Sequence, residues 1–231
     1  MIRAVNLTKR FGARTAVESL CFEIPVGQIV GFLGPNGAGK TTTMRLLTAY
    51  LPADEGRAEI LGLDPADEPV AVRRRLGYLA ENNPLYDELE VTETLDFTAR
   101  LRGLRDDAER AAKVRAAIKT CGLKSVVGKK AGELSKGFRQ RLGLAQALVH
   151  DPEVLILDEP TTGLDPNQIS EFGALIRELG KRKTIIISTH ILAQAADTCS
   201  RAIIIHEGRI VHDGPMEKNI DETFRRLTTH S

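Results

Sequence analysis

The sequence is poor in several features that would mark other classes of protein. It has no tryptophan, and its three cysteines, Cys21, Cys121 and Cys199, lie far apart in the chain. An odd number of cysteines without metal-ligand spacing predicts neither a disulfide framework nor a zinc site, so we expect buried thiols in a reducing compartment. No segment approaches the ~18 consecutive apolar residues of a membrane-spanning helix. The formal net charge of +1 gives no general electrostatic basis for binding nucleic acid, and we expect no nucleic-acid partner.

A glycine-rich segment near the N-terminus carries the first indication of chemistry. The apolar run Gln28–Leu33 is typical of a buried parallel strand, and helical spacing begins at Lys40. Glycines between a strand and a helix let the backbone turn with positive φ and direct N–H groups at an anion, which the helix N-terminus also favours. Lys40 can reach the β- and γ-phosphates of a nucleoside triphosphate, and the Thr41 hydroxyl suits a place on Mg²⁺.

An ordinary glycine-rich turn is the alternative for this segment. The strand, the spacing and the Lys-Thr pair together favour a phosphate-binding loop instead. The residues assigned to nucleotide binding on this basis are Gly34, Pro35, Asn36, Gly37, Ala38, Gly39, Lys40, Thr41 and Thr42.

A second aliphatic run ends in two acids. Val154–Leu157 has no polar residue, as expected of a strand covered on both faces, and Asp158 and Glu159 follow at its C-terminal end. Open α/β sheets bind their ligands at that edge. We expect Asp158 to hold Mg²⁺, directly or through water, and Glu159 to orient and deprotonate an attacking water as the general base. The alternative is that the two acids are merely solvated at a strand end. The glycine-rich loop in the same chain favours the metal-binding and general-base roles instead.

A third segment, Leu134–Gly137, lies at the start of a predicted helix. Ser135 is a natural N-cap for this helix, whose apolar positions include Phe138 and Leu142. A capped helix start next to a glycine is again able to bind an anion. Taken alone, the segment is better interpreted as a plain capped helix.

Together, these motifs resemble those of the ATP-binding cassette (ABC) ATPases. Leu134–Gly137 resembles the family's signature sequence, which closes on the ATP held by a partner subunit. Thr161–Asp165 resembles the D-loop, and Ser188–His190 resembles the segment of the switch histidine that touches the γ-phosphate. Phe11 matches the aromatic residue that stacks on adenine, and Gly77–Asn82 stands where the Q-loop is expected.

The resemblance covers about residues 2–214 and implies an α/β fold of the P-loop NTPase class. We expect a RecA-like, mostly parallel core sheet with an N-terminal antiparallel β subdomain and an inserted α-helical subdomain. One ABC ATPase domain would then occupy residues 1–231, with the core at 1–80 and 146–231 and the helical subdomain at 81–145. The alternation of Leu20, Phe22 and Ile24 with polar residues independently predicts a half-buried antiparallel strand.

Local patterns also predict where helices begin. Thr92 is an expected N-cap, for a helix with Leu95 and Leu101 near one side. Asp106 and Asp165 are expected to begin two further helices, the second with a proline in its first turn.

The resemblance also implies the roles of single residues. The implied catalytic residues are Lys40, Glu159 and His190, and the implied metal ligands are Thr41, Asp158 and Glu81. Further implied nucleotide-binding residues are Phe11, Ser135, Gly137 and Asp165, of which Ser135 and Gly137 act at the ATP of a partner subunit.

Two positions depart from the family's usual pattern. The Q-loop glutamine is replaced by Glu81, or is displaced to Asn82, and Lys136 and Phe138 stand where glycine and glutamine are more usual. Glu81 can still face Mg²⁺ through a water. The side chain of Lys136 either adds positive potential at the partner's phosphates or points into solvent.

The implied function is that of an ATP-hydrolysing subunit that powers a membrane ABC transporter. The sequence around the signature and after Tyr78 is most similar to ATPases of ABC-2 type bacterial transporters, including the gliding-motility and nitrous-oxide-reductase-maturation types, so export is favoured over import. ATP and Mg²⁺ are the implied ligands. The implied partners are an integral membrane permease and a second ATPase subunit in a head-to-tail dimer, either a homodimer, which we expect, or a pair with a related ATPase. The expected location is the cytoplasm, peripheral on the cytoplasmic face of the inner cell membrane.

Two other interpretations use the same loop. A soluble ABC ATPase of translation or DNA repair shares the site chemistry, but such proteins usually carry two cassettes or a long coiled-coil insertion, and this sequence has neither. A P-loop kinase or GTPase would not explain the presence of the signature, Asp165 and His190. The Asn-Lys-x-Asp motif of a GTPase is also absent from the sequence.

Overall fold

The computed structural model describes residues 1–217 and 219–228, so residue 218 and the last three residues of the predicted ATPase domain lie outside the described residues. The strands are β1 (Ile2–Phe11), β2 (Arg14–Ile24), β3 (Ile29–Leu33), β4 (Glu55–Ile60), β5 (Leu76–Leu79), β6 (Val154–Asp158), β7 (Thr184–Thr189), β8 (Arg201–His206) and β9 (Arg209–Pro215). The α-helices are α1 (Lys40–Leu47), α2 (Pro69–Arg75), α3 (Val91–Leu101), α4 (Asp107–Thr120), α5 (Lys136–Leu148), α6 (Pro166–Gly180), α7 (Leu192–Thr198) and α8 (Ile220–Thr228).

The strands form two sheets. An antiparallel sheet has the order β2-β1-β4, and the larger sheet has the order β5-β6-β7-β3-β8-β9. All neighbouring pairs in the larger sheet are parallel except the hairpin of β8 and β9. Helices α3, α4 and α5 are inserted between β5 and β6. This arrangement confirms the predicted mixed α/β architecture, with a mostly parallel core sheet, an N-terminal antiparallel sheet and a helical insertion.

Both faces of the larger sheet are covered, which explains its unbroken aliphatic strands. Successive side chains of a strand point to opposite faces. Along β8, Ile203 and Ile205 belong to the hydrophobic core shared with the antiparallel sheet and α1. Ala202 and Ile204 belong to the core formed with helices on the other face. Burial of a large aliphatic side chain contributes about 1.5–3 kcal/mol, so the two cores hold the strand ends of this sheet in fixed positions.

Several local predictions are confirmed. In β2, Leu20, Phe22 and Ile24 are buried while the residues between them are exposed. Helix α4 begins after Asp106, whose side chain accepts a hydrogen bond from the Glu109 N–H at 2.7 Å. Helix α6 begins after Asp165 in the same way.

The prediction for the start of α3 is wrong. Its N-cap is Glu90 and not Thr92, because the Glu93 side chain accepts a hydrogen bond from the Glu90 N–H at 2.9 Å and the helix therefore begins at Val91. Leu101 is 71% exposed. It is six residues from Leu95, which corresponds to about 240° around a helix and places the two side chains on different sides.

Within the described ranges, no helix combines the length and the apolar character that crossing a bilayer requires. Helix α5 runs past residue 145, the predicted end of the helical subdomain. The division of the chain at 80/81 and 145/146 remains our proposal.

Candidate active site

Three neighbouring strands of the larger sheet end at one edge. The sheet order brings β6, β7 and β3 side by side, with Asp158 opposite Ser188 and Leu33 opposite Thr189. The segments that follow these parallel strands, which begin with Gly34, Glu159 and His190, therefore meet although they are far apart in sequence.

The loop between β3 and α1 depends on its glycines. Gly39, the residue before α1, has a φ of 110°, and Gly37 has a φ of 79°. A Cβ atom at Gly39 would lie 2.6 Å from the carbonyl oxygen of Ala16. Both the backbone conformation and the space thus exclude a side chain at Gly39, and the loop leads directly into the N-terminus of α1, which favours an anion.

Lys40 is held inside this loop. Its side chain is 6% exposed, and its Nζ atom donates hydrogen bonds to the carbonyl oxygens of Gly34 at 2.8 Å and Pro35 at 3.2 Å. The same Nζ lies 3.3 Å from Glu159 Oε1. The ammonium group is therefore fixed at the position where an incoming phosphate would meet the loop.

Glu159 connects Lys40 with His190. Its side chain is 7% exposed, and its second oxygen, Oε2, lies 2.9 Å from His190 Nδ1. The backbone of Glu159 has a φ of 48°, a left-handed conformation that is uncommon outside glycine, and its N–H donates to the Ser188 carbonyl at 3.0 Å. Strained backbone of this kind is often found at functional sites, and here it aims the carboxylate at the loop.

Asp158 is fully buried beneath Glu159. Its Oδ1 atom accepts hydrogen bonds from the Ser188 hydroxyl and, at 3.3 Å, from the Thr41 hydroxyl, while the Tyr78 hydroxyl lies 3.5 Å from Oδ2. Burial raises the pKa of Asp158; the hydrogen bonds from Ser188 and Thr41 oppose this shift, and the charge of Glu159 adds to it.

The donor set at this position fits Mg²⁺. Magnesium is usually held by one or two carboxylates together with the phosphates of a substrate, not by a complete protein cage. Asp158 and Thr41 supply oxygen atoms next to the phosphate loop, and the described residues contain no cluster of three or more His, Cys, Asp or Glu that would form a cage. A hard oxygen-binding cation that shares its ligands with a phosphate is therefore the group these residues suit.

The raised pKa of Asp158 predicts opposite effects of Asp158→Asn on stability and on activity. A carboxyl group whose pKa is higher in the folded than in the unfolded chain destabilises the fold at pH values above both. We therefore expect Asp158→Asn to raise the Tm measured without nucleotide at neutral pH, and the gain to shrink as the pH falls through the carboxyl range. Hydrolysis of ATP should fall by about 100-fold or more, because the neutral amide oxygen of asparagine is a much weaker ligand for the metal than the carboxylate it replaces.

Asp151→Asn is the matched control for this prediction. Lys183 donates to Asp151 at 2.8 Å, and this hydrogen bond lowers the pKa of Asp151. The control should consequently lower the Tm at neutral pH. If Asp158→Asn also lowers the Tm, the conclusion that the buried charge of Asp158 destabilises the fold is contradicted.

Most of the predicted site residues line one cleft of about 650 Å³. Those residues are Phe11, Asn36, Gly37, Gly39, Lys40, Thr41, Thr42, Glu81, Glu159 and His190. Gly34, Pro35 and Ala38 form the rest of the loop, and Asp158 lies beneath it. The cleft is also lined by Arg14, Ala16 and Thr162, and Asp158 is contacted by Ser188 and Tyr78; no individual role was predicted from the sequence for these five residues.

Three predicted nucleotide contacts are located elsewhere. Ser135 is the N-cap of α5 and accepts a hydrogen bond from the Phe138 N–H at 3.4 Å, and Asp165 is the N-cap of α6. Gly137 lies against the side chain of Gln168, and the Lys136 ammonium lies against Gly163. Ser135, Gly137 and Asp165 do not line the cleft. Through Lys136 and Gly163, the signature segment and the D-loop segment contact each other within one chain.

Comparison with known proteins identifies the family. The family model described as "ABC transporter" matches residues 17–162. The probable multidrug ABC transporter ATP-binding protein YbhF of Escherichia coli is 38% identical over 93% of this chain, which spans 37% of that relative's length. The Nod factor export ATP-binding protein I of Burkholderia orbicola is 40% identical over 90% of this chain and 69% of its own length.

A solved structure agrees with these relatives. The structure of the ATP-binding subunit of an ABC transporter superposes with a TM-score of 0.85 at 31% identity, over 100% of this chain and 95% of that one. The family model, these relatives and the fold thus lead to one assignment: this chain belongs to the ABC transporter family and has the P-loop NTPase fold.

Proposed function

We propose that this chain binds ATP with Mg²⁺, hydrolyses it, and uses the hydrolysis to power a membrane transporter. The observation that carries the proposal is the placement of Glu159 between Lys40 and His190 at the wall of a cleft that the phosphate loop lines. A base, a cation and a hydrogen-bonding imidazole are thereby gathered at one position. Phosphoryl transfer requires mainly positioning and charge stabilisation, and these residues supply both.

The cleft has a place for each part of the nucleotide. Phe11 is 50% exposed at the cleft, where its ring can stack on adenine. Lys40 and the loop N–H groups bind the phosphates. Thr41, Asp158 and Glu81 would hold Mg²⁺, which when bound offsets the charge of the phosphates.

Glu159 and His190 act at the γ-phosphate in this proposal. Glu159 accepts the proton of the attacking water, since its buried carboxylate is fixed at both oxygens. His190 orients Glu159 through Nδ1 and is available to contact the γ-phosphate. These two groups and Lys40 already lie at one wall of the cleft before ATP enters, so the phosphates meet them on arrival.

A dimer would complete the site. Ser135, Gly137 and Asp165 do not line the cleft of their own chain, yet a capped helix start is suited to an anion. A two-fold, head-to-tail homodimer would present these residues to the partner's ATP. ATP would then hold the dimer closed, and hydrolysis would let it open.

The proposed partner is an integral membrane permease, and the proposed direction of transport is export. The chain has similarity to a relative named for Nod factor export and to one named for probable multidrug transport. The expected contact region is about residues 78–104, where Tyr86, Phe97 and Leu101 are exposed. Binding there would place the subunit on the cytoplasmic face of the membrane.

A mild-detergent purification of the tagged chain from its native cells tests the transporter proposal. We expect a multi-span membrane protein to co-purify in roughly matching amount, as identified by mass spectrometry. Recovery of ribosomal or DNA-repair proteins with no membrane protein would overturn the proposal and favour a soluble ABC ATPase.

A further inference from the structure

The two oxygen atoms of the Asp158 carboxylate have different hydrogen-bond partners. Oδ1 accepts hydrogen bonds from the hydroxyl groups of Ser188 and Thr41, whereas Oδ2 lies 3.5 Å from the Tyr78 hydroxyl. Among the described residues, Tyr78 is the only hydrogen-bond partner of Oδ2. Because Asp158 is fully buried, the loss of that hydroxyl would leave a buried carboxylate oxygen without a partner.

The sheet fixes the position of Tyr78. Strands β5 and β6 are parallel, and Tyr78 lies opposite Ile156. Residues two apart on a strand point to the same face, so Tyr78 and Asp158 share one face of the sheet. The ring of Tyr78 packs against the hydrophobic core on that face, to which Ile156 also belongs. The hydroxyl group is thereby held at the end of the strand that carries Asp158.

The Tyr78 hydroxyl is suited to donate its hydrogen to Asp158. A tyrosine keeps its proton at neutral pH, and an ionised carboxylate can only accept hydrogen bonds. The side chain of Arg45, in the last turn of α1, hydrogen-bonds to the same hydroxyl group. Arginine has no acceptor atom, so it donates to the hydroxyl oxygen and leaves the hydroxyl hydrogen for Oδ2.

Hydrogen bonds at both oxygens fix the rotation of the Asp158 carboxylate. With Tyr78 on Oδ2, the other oxygen stays beside the Thr41 hydroxyl, which is the second proposed ligand of the metal. Without Tyr78, the unpartnered Oδ2 would favour a turn of the carboxylate toward the remaining donors, since a buried polar atom without a hydrogen bond is costly. Residues that orient a metal ligand in this way typically change metal affinity by about 10- to 100-fold when they are mutated.

We propose that Tyr78 is a positioning residue of the metal site, whose hydroxyl group holds Asp158 in the orientation that binds the Mg²⁺ of Mg·ATP. This inference rests on the proposed function, because it adds a residue to the same metal site. Tyr78 does not line the ATP cleft, so it acts through Asp158 and not by contact with the nucleotide.

The effect of Mg²⁺ on nucleotide binding tests this inference. The Kd of the purified chain for AMP-PNP, a nonhydrolysable analogue of ATP, is measured by calorimetry with excess Mg²⁺ and with EDTA. The ratio of the two Kd values gives the tightening of binding by the metal. We expect Tyr78→Phe, which lacks only the hydroxyl group, to reduce that tightening by about fivefold or more. Its Kd with EDTA should stay within about twofold of the unchanged chain, because no contact with the nucleotide is removed.

Tyr50→Phe is the matched control. Tyr50 is 70% exposed, and loss of its hydroxyl group should leave both Kd values within about twofold of those of the unchanged chain. The Tm of each variant monitors folding.

A double variant tests whether Tyr78 acts through Asp158. In Asp158→Asn the tightening by Mg²⁺ is expected to be small already. Adding Tyr78→Phe to that variant should change the tightening by less than about twofold, because two residues that act through one group are not additive.

The outcomes separate the inference from the function on which it rests. If Mg²⁺ does not tighten binding to the unchanged chain, the proposed metal site fails and the inference fails with it. If Tyr78→Phe and the unchanged chain show equal tightening, the inference is overturned and the proposed function stands. The inference is also overturned if Tyr78→Phe raises the Kd equally with Mg²⁺ and with EDTA, or if its effect on the tightening is undiminished in Asp158→Asn.

Discussion

Glu159→Gln is expected to bind ATP, to hydrolyse it about 1,000-fold more slowly than the unchanged chain, and to accumulate as a dimer. Glutamine keeps the shape of the side chain and can still contact Lys40 and His190, but it cannot accept the proton of the attacking water. The ATP would therefore remain intact between the two subunits. Single-turnover hydrolysis gives the rate, and light scattering with and without ATP gives the mass.

Glu153→Gln is the matched control for this variant. Glu153 precedes β6 at the end opposite Glu159 and pairs with Arg75 at 2.8 Å on the surface. The same chemical change at that position should leave hydrolysis within about twofold of the unchanged chain, because exposed ion pairs contribute little. Normal turnover by Glu159→Gln would remove Glu159 from the role of the general base.

An equal mixture of Lys40→Ala and Ser135→Arg chains is expected to hydrolyse ATP at about a quarter of the unchanged rate, although neither variant is active alone. Half of the dimers in the mixture contain one chain of each kind. In those dimers one site combines both defects, and the other combines an intact Lys40 with an intact Ser135. The recovery depends on the head-to-tail arrangement, because Ser135 does not line the cleft that contains Lys40 in the same chain.

A mixture of Lys40→Ala and Glu159→Gln chains controls for effects of mixing. These two residues lie 3.3 Å apart in one cleft, so every site of a mixed dimer lacks one of them and activity should not return. If the Lys40→Ala and Ser135→Arg mixture also stays inactive while dimers form, the two residues do not act on the same ATP from different chains.

Residues that are contiguous in sequence were the most predictable part of the site. The segment from Gly34 to Thr42 carries its own strand end, turn glycines and helix start, so its shape follows from local backbone rules. Asp158 and Glu159 were placed by their position at the end of an aliphatic run. His190 came from the family resemblance, because the order of β6, β7 and β3 in the sheet has no local signal in the sequence.

The unassigned contacts depend on tertiary arrangement. Tyr78 and Asp158 are brought together by the pairing of β5 with β6, and Arg14 reaches the cleft because the antiparallel sheet packs over the larger one. Ser188 had a usable signal, since it lies near the end of a buried strand, two residues before His190. The start of α3 was predicted wrongly because Thr92 was taken as the N-cap. The side chain of Glu93 accepts a hydrogen bond from the Glu90 N–H, which makes Glu90 the N-cap.

The contact between Lys40 and Glu159 makes the arrival of ATP an exchange of counterions. Lys40 already has an anion beside it, so a triphosphate must displace Glu159 from the ammonium group before the carboxylate is free to activate water. A nucleotide that lacks the γ-phosphate is a weaker counterion for Lys40 than ATP. Glu159 would therefore stay paired with Lys40 when there is no γ-phosphate to hydrolyse. Because glutamine carries no charge to displace, Glu159→Gln should also bind ATP with a lower Kd than the unchanged chain, and an equal or higher Kd would exclude this exchange.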